Sequence, residues 1–355
     1  NKNLVLDTRH FSADFKERLI ASIDNLDGHT GGLLVYSESF QALNLLQEKY
    51  KEKIKCVYID PPYNNGGDGF IYKDGYQDST WLTMIHDRVV KGSMLLNKEG
   101  AFYTSIGKDE EGNLRVLLDS IFKHPSIPYV WKSRAKPTNA GEAKYRPQIV
   151  AEFVYQSSNS NDIKYFPLNS GEERKYPHQD EYGKYRITSI LTSNLGRYQR
   201  ETMRFEVNGY TPPPEKRWKA GEDEIKWLLR NHRLDFNDDG EPYRKHYEGD
   251  EEEQHLPLWT YIPEEISSTA ENGKSDLSAI VGNNHGIDTV KPKELIMYFI
   301  NSIVDNRGII LDYFAGSGTT GHAVLNLNRE DGGNRKYILV EMGEYFYTVT
   351  LPRMK

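Results

Sequence analysis

The chain is poor in cysteine and in unbroken apolar runs, and it has no excess of positive charge. Its 355 residues include a single cysteine, Cys56. That excludes a disulfide framework, fits a reducing cytoplasm, and leaves Cys56, inside an apolar run, as a core-packing residue. No apolar run reaches the roughly 18 residues of a membrane-spanning helix, and no signal peptide is recognisable, so neither membrane insertion nor export is expected. The formal net charge of −7 gives no general attraction to nucleic acid, so any such contact has to come from local basic patches. The first residue is Asn1 rather than Met, from which we expect the chain to be less than the complete gene product. What is abundant is aromatic: 12% of the residues, with 24 Tyr, a level met both in proteins that stack flat ligands and in tyrosine-rich cores. Hydrophobic residues at 37% and charged residues at 27% describe a soluble globular protein. The length suits one large catalytic domain plus an insertion.

One stretch organises the rest, Lys55-Cys56-Val57-Tyr58-Ile59-Asp60-Pro61-Pro62-Tyr63-Asn64. Its apolar, β-branched run reads as a buried strand and stops at a carboxylate. Pro61 and Pro62 fix φ and remove two N–H donors, so the turn offers carbonyl acceptors only. A carboxylate, outward carbonyls and an aromatic face therefore meet at the carboxyl end of a strand, where open α/β sheets bind ligands. Such a corner suits an amino group on a flat ring; a plain strand-ending turn is the alternative.

Around this corner the sequence alternates between strand and helix. A polar helix from Ser12 to about Asp24 precedes Leu33-Leu34-Val35-Tyr36, a short strand, and Ser39 can cap a helix bearing Phe40, Leu43 and Leu46. After Tyr63, Asn64-Asn65-Gly66-Gly67-Asp68-Gly69 is expected to be a mobile loop over the site. Ser79 to Leu96 reads as a helix with Trp81, Met84, Ile85 and Val89 on its apolar face, followed by a strand from Ala101 to Ile106. A helix from Asn113 to Phe122 and strands at 129–131 and 149–155 complete this part. From about Ser157 to Leu258 helical periodicity fades and basic residues gather with aromatics. Lys184, Arg186, Arg197, Arg200 and Arg204 run among Tyr182, Tyr185, Tyr198, Phe205 and Tyr210, and Lys216, Arg217 and Lys219 surround Trp218. Lys132, Arg134, Lys136, Lys144 and Arg146, set against Glu142, form an earlier basic stretch. Such interleaving fits a nucleic-acid surface and equally a solvated mixed-charge surface. The acidic run Glu248, Asp250, Glu251, Glu252, Glu253 is expected to face away from any DNA.

The α/β pattern resumes with a helix opened by Lys291-Pro292 and a strand Ile309-Ile310-Leu311. A turn follows: Asp312-Tyr313-Phe314-Ala315-Gly316-Ser317-Gly318-Thr319-Thr320-Gly321-His322. Strand, glycine turn and helix N-terminus together are the layout of a cofactor loop. Gly316, Gly318 and Gly321 match G-x-G-x-x-G, and Glu341 closes the next strand, as a dinucleotide site would require. A Walker loop is disfavoured, because His322 and Ala323 stand where its Lys and Ser/Thr would be. Position weighs against a dinucleotide fold as well. A Rossmann fingerprint normally opens its domain, whereas here the remaining strands must come from the N-terminal half, giving a circularly permuted sheet with a long insertion.

Asp60-Pro61-Pro62-Tyr63, followed much later by Phe314-Ala315-Gly316-Ser317-Gly318-Thr319-Thr320, resembles the β class of amino-group DNA methyltransferases. Within that class the chain is most similar to the modification subunit of type III restriction–modification systems, through residues 59–72, 81–88, 100–106, 291–296 and 310–337. The resemblance implies a Rossmann-like α/β fold of S-adenosylmethionine-dependent methyltransferases, circularly permuted. It divides the chain into a catalytic half at 1–156, an inserted target-recognition region at 157–258 and a cofactor half at 259–355. It further implies adenine-N6 methylation of double-stranded DNA in the cytoplasm with S-adenosyl-L-methionine as cofactor and no metal. A homodimer and a helicase/nuclease restriction subunit are the partners it brings, and no membrane.

By the same resemblance Asp60 and the Pro61 carbonyl accept the target N–H groups, Pro62 shapes the turn and Tyr63 stacks on the base. Phe314, Ala315, Gly316 and Gly318 approach the cofactor, and Asp312 reaches its ammonium or a nearby water. Glu341 accepts ribose hydroxyls, Lys291, Ser317 and Thr319 take the methionine carboxylate, and Glu38 lies near the adenine. Lys132, Arg134, Lys136, Arg197 and Arg200 are the expected DNA contacts, and His322 is a helix-face residue. Two features depart from the family. Ser37-Glu38 replaces a commoner Gly-Asp or Gly-Asn, and family members often extend through a further C-terminal region. The competing readings are cytosine-N4 methylation by the same chemistry, a DNA-binding module that has lost transfer, and a nicotinamide-dependent oxidoreductase.

Overall fold

The computed structural model describes residues 10–66, 75–136, 145, 147–166, 168–169, 175–197, 199–250, 255–256 and 258–355. The chain forms two compact units, one of Asn1–Leu168 with Pro257–Lys355 and one of Asn169–Leu256.

The larger unit is built on β1 (Gly32–Tyr36), β2 (Ile54–Ile59), β3 (Leu96–Ile106), β4 (Ile127–Lys132), β5 (Ala151–Ser157), β6 (Tyr261–Ile262), β7 (Arg307–Asp312) and β8 (Asn334–Glu341). They join in one sheet in the order β1-β8-β7-β2-β3-β5-β4-β6. Every pairing is parallel except those made by β5, which runs antiparallel between β3 and β4. From β7 the chain moves outward to β8, and from β2 it moves outward to β3 on the other side. The switch point of the sheet therefore lies between β7 and β2, where Ile310 pairs with Cys56 and Leu311 with Val57. This is an α/β doubly wound sheet with its chain order permuted: the last strands in sequence, β7 and β8, lie between β1 and β2.

Strand period two decides which residue goes to which face. Cys56, Tyr58, Ala101, Tyr103 and Ile310 pack on one side against α6 (Lys293–Ile303) and α7 (Thr319–Asp331). Val57, Ile59, Phe102 and Leu311 pack on the other against α2 (Ser39–Tyr50), α3 (Asp78–Leu95) and α4 (Glu111–Ile121). A short helix, α1 (Ala13–Ala21), buries nothing. Cys56 is fully buried, and burial pushes its thiol pKa up.

Several elements lie outside the sequence expectations. Helix α5 (Ala270–Val281) forms in a stretch with no clean periodicity; it buries only Gly273 and Leu277. After β8 the chain closes through a π-helical turn, Phe346–Thr350, and a last helical turn, Leu351–Met354. Pro292 sits at the N-cap of α6, just ahead of the first turn where it was expected.

The smaller unit holds a four-stranded antiparallel sheet, in the order Leu234–Phe236, Pro242–Tyr247, Gly183–Ser189, His178–Asp180. A two-stranded sheet pairs Leu191–Ser193 with Lys216–Trp218, and the helix Glu222–Arg230 contributes Ile225 and Leu228 to the core. The aromatics of this region divide. Trp218 is fully buried and donates its indole N–H to the Phe205 carbonyl at 2.9 Å, with Phe205 and Tyr210 packed against it. These three make a core; Tyr182 remains exposed. Asp250 of the acidic run pairs with Arg233, while Glu251, Glu252 and Glu253 lie outside the described residues, as do Tyr198, Glu142, Lys144 and Arg146.

Gly273 is where α5 touches the backbone that carries Lys291. A Cβ there would stand 2.3 Å from the Val290 carbonyl oxygen and 2.9 Å from the Lys291 carbonyl carbon. Backbone cannot rotate away, so Gly273→Ala is expected to destabilise the protein by about 1–3 kcal/mol, the usual cost of overpacking. Urea unfolding monitored by circular dichroism measures the shift.

Candidate active site

The two motifs meet because their strands are neighbours. Asp60 follows β2 and Asp312 ends β7, so both carboxylates stand at the carboxyl edge of the switch point. A pocket of about 480 Å³ opens there, a size usual for small-molecule sites.

Its first wall is the proline corner. Asp60, Pro61, Pro62 and Tyr63 all line the pocket. The corner is pinned from below by Trp81 at the start of α3, a fully buried side chain whose indole N–H donates to the Pro62 carbonyl at 2.8 Å. In the sequence Trp81 read only as part of an apolar face. Tyr63 donates its hydroxyl to Glu152 Oε2 at 2.9 Å, and its ring lies against Gly107, where a Cβ would come within 2.9 Å of Tyr63 Cδ2. Beyond the corner, Asn64 adopts φ 59° and its amide receives the Tyr76 N–H at 2.6 Å while donating to the Tyr76 carbonyl at 3.1 Å. Gly67, Asp68 and Gly69 of the expected loop lie outside the described residues.

The second wall is the glycine loop, to which Phe314, Ala315, Gly316, Ser317 and Thr319 contribute. Its shape comes from acids that face the loop. Asp312 accepts the Phe314 N–H at 3.0 Å and the Thr320 hydroxyl at 2.5 Å. Burial pushes the Asp312 carboxyl up to about 7 despite those two bonds. Glu341 accepts the N–H of Gly316 at 2.8 Å and that of Gly343 at 2.7 Å, and burial raises its pKa too. Gly316 has φ +52° and Gly318 φ +84°, both left-handed, which is the conformational reason for glycine at these turns.

The chain's last residues hold this loop from the outside, and no sequence signal marked them. Arg353, only 6% exposed, donates through Nη1 to Ser317 Oγ at 2.8 Å and Thr319 Oγ1 at 2.9 Å. Thr350 donates to the Gly316 carbonyl at 2.7 Å. His322 lies in α7 with Nδ1 3.3 Å from Arg353, and burial, then the guanidinium, lower its pKa to about 4.

Several expected residues stand elsewhere. Lys291 lines the pocket, yet its ammonium is on Asp60 Oδ2 at 2.9 Å and Glu152 Oε2 at 3.3 Å. Burial lowers its pKa, but the two carboxylates more than offset this, so the net shift is upward. Glu152, on β5, went unremarked in the sequence. Glu38 caps α2 and pairs with Arg88 at 2.5 Å, outside the pocket lining, and Gly318 and Glu341 stand behind the loop rather than in the lining. Burial would raise the Glu38 pKa, but Arg88 holds it below the usual value. Among the basic residues Arg134 lines the pocket; Lys132 pairs with Glu264 at 2.5 Å, and Lys136 is exposed. Arg197 and Arg200 are exposed on the smaller unit. No cluster of potential metal ligands is present among the described residues.

A family model described as DNA methylase matches residues 54–351. The chain is 27% identical to the type III restriction-modification enzyme StyLTI Mod subunit of Salmonella typhimurium, over 93% of this chain and 55% of that protein. It is 26% identical to the EcoP15I Mod subunit of Escherichia coli, over 88% of this chain and 58% of that protein. It is also 26% identical to the type II methyltransferase M.KpnI of Klebsiella pneumoniae, over 92% of this chain and 84% of that one. The chain thus spans little more than half the length of the type III relatives.

Asp312 makes the site's stability depend on pH. A carboxyl raised on folding favours the folded state most below its unfolded pKa, near about 4, and its contribution is lost as pH rises to about 7. Asp312→Asn keeps an acceptor for Phe314 and removes the titration. Relative to this variant, the unsubstituted protein should lose stability between pH about 4 and about 7 and no further above. Paired urea titrations across that range give the difference.

Proposed function

The chain belongs to the DNA methylase family, and from that premise we propose that it methylates adenine N6 in double-stranded DNA with S-adenosylmethionine as donor. The observation that carries this reading is Asp60. One carboxylate oxygen, Oδ2, is held by Lys291, and the other, Oδ1, is buried without a hydrogen-bond partner. A buried, unsatisfied acceptor is costly unless something supplies a donor. An exocyclic amine does so, and its neighbour in the corner, the Pro61 carbonyl, offers the second acceptor.

The chemistry needs both. The lone pair of an aromatic amine is delocalised into the ring and must be turned toward an electrophilic carbon. Two acceptors on its N–H groups favour a pyramidal nitrogen and aim the lone pair. Tyr63, pinned by Glu152 and Gly107, supplies the face on which the base stacks. Asp60, Pro61 and Tyr63 line a pocket that a base inside a duplex cannot enter, so the target has to leave the stack, at a cost of a few kcal/mol.

The residues across the pocket fit the donor. Gly316 has nothing nearer than 3.9 Å where its Cβ would be, so backbone can lie close to a ligand. Phe314, Gly316, Ser317 and Thr319 would hold the cofactor, which supplies a sulfonium-activated methyl group. Adenine is preferred to cytosine because Asp occupies the first position of the corner, as in adenine-directed members of the resembling class. Pairing with a restriction subunit is proposed on the likeness to Mod subunits, and double-stranded DNA contact through Arg134, Lys132, Lys136, Arg197 and Arg200 belongs to the same reading, as does a homodimer.

Nucleoside mass spectrometry of DNA incubated with the protein and S-adenosylmethionine tests the assignment. N6-methyladenine is the expected product; N4-methylcytosine alone would transfer it to the cytosine reading. Asp60→Ala should lower the rate by about 10²–10⁴-fold while DNA binding persists. Cofactor-dependent thermal stabilisation with no methylated base would favour the binding module.

A further inference from the structure

Asp60 and Tyr63 are the two ends of a corner whose middle is two prolines, and the structure ties both ends to one ion pair. Lys291 Nζ is 2.9 Å from Asp60 Oδ2 and 3.3 Å from Glu152 Oε2. The same Glu152 oxygen receives the Tyr63 hydroxyl at 2.9 Å. The circuit is closed: Asp60, Lys291, Glu152, Tyr63 and back through Pro62 and Pro61. The ammonium also lies 4.9 Å from the centre of the Tyr63 ring and 5.8 Å from that of Trp131, cation–π distances. Only 6% of the Lys291 side chain and 19% of that of Glu152 are exposed, so water competes little for these bonds.

We infer that Glu152 and Lys291 are positioning residues for the proposed methyl transfer: together they fix which oxygen of Asp60 faces the substrate and the plane of the Tyr63 ring. The inference rests on the function proposed above. Lys291 holds Oδ2, which fixes the plane of the carboxylate and leaves Oδ1 as the oxygen without a partner. Glu152 shares the ammonium with Asp60, and it fixes the tyrosine through the same atom. This use of Lys291 differs from the expected one, in which it would bind the cofactor's carboxylate. With two carboxylates already on the ammonium, a third anion would be repelled by both. Glu152 comes from the antiparallel strand β5, opposite Trp131 of β4. The strand inserted between β3 and β4 thereby supplies a group that the proline corner alone cannot.

Glu152→Gln keeps an oxygen for the Tyr63 hydroxyl and removes the charge that Lys291 needs. The single-turnover methylation rate should fall about 10–100-fold, the usual effect of losing a supporting partner in a site. The cofactor dissociation constant and the thermal midpoint should stay near those of the parent protein. Tyr63→Phe should cost less than Glu152→Gln, and the double variant should be no worse than Glu152→Gln alone. A second readout needs no activity. Acylation of lysines by an N-hydroxysuccinimide ester, followed by peptide mass spectrometry, should label Lys291 several-fold faster in Glu152→Gln, with Lys55, paired to Glu99, as internal reference. Unchanged labelling of Lys291 would overturn the inference, as would a variant whose rate stays within twofold of the parent. Equal losses in rate, cofactor affinity and midpoint would mean a structural role only and would also overturn it. If the parent protein methylates no DNA, the function fails, and the labelling result still decides whether Glu152 holds Lys291.

Discussion

The site depends on one strand pairing. Ile310 beside Cys56 and Leu311 beside Val57 join segments from opposite ends of the sequence, and everything chemical at the site hangs beyond those two pairs. Parallel strands end at the same edge of a sheet, so Asp60 and Asp312 emerge together and face one pocket. The pairing is buried on both faces, under α6 and α7 on one side and α2, α3 and α4 on the other. Its geometry is thereby fixed by core packing on two independent surfaces, which is what a reaction requiring ångström-level alignment demands.

Both motifs were legible in the sequence because each combines a strand signal with residues whose backbone chemistry is unusual. Two prolines and two left-handed glycines announce turns from local sequence alone. The permuted order is visible in the pairing of β7, which carries the glycine loop, with β2, which carries the proline corner. The supports were not legible. Trp81 reads as an apolar helix residue until its indole N–H is seen on the Pro62 carbonyl, and Glu152 is one acid in an ordinary alternating strand. Arg353 lies in a terminal turn with no periodicity to mark it. Each acts through a contact across a long sequence separation, and composition carries no record of such contacts. The aromatics of the smaller unit failed in the opposite direction. Trp218, flanked by Lys and Arg, has the composition of a binding surface, but a three-residue strand buries this last side chain while the two before it stay partly accessible.

The division between what is read and what is missed has a physical basis. Turn residues are selected by φ and by missing donors, properties of single residues. Supporting residues are selected by what remains unsatisfied after folding: the Pro62 carbonyl, the Tyr63 hydroxyl, the loop hydroxyls of Ser317 and Thr319. Buried polar groups must find partners, and the partners come from whichever element passes nearby. Here these are α3, β5 and the final turn, three elements that carry no motif.

The charge around the glycine loop discriminates between ligands, and part of the loop's donors are committed to the protein itself. A dinucleotide site binds pyrophosphate with free N–H groups at the turn and helix N-terminus. In this loop the N–H of Phe314 goes to Asp312, that of Ala315 to the Val340 carbonyl, that of Gly316 to Glu341 and that of Gly318 to the Ala315 carbonyl. Ser317 and Thr319 hydroxyls are engaged by Arg353. A pyrophosphate would bring two negative charges to the donors that remain at the start of α7. Asp60 and Glu152 formally outweigh Lys291 by one negative charge across the pocket, which would repel it further. A cationic sulfonium is attracted by the same imbalance. The G-x-G-x-x-G spacing thus serves here to bend the backbone and admit a close approach, and the charge pattern around it favours the proposed methyl donor over a nicotinamide dinucleotide.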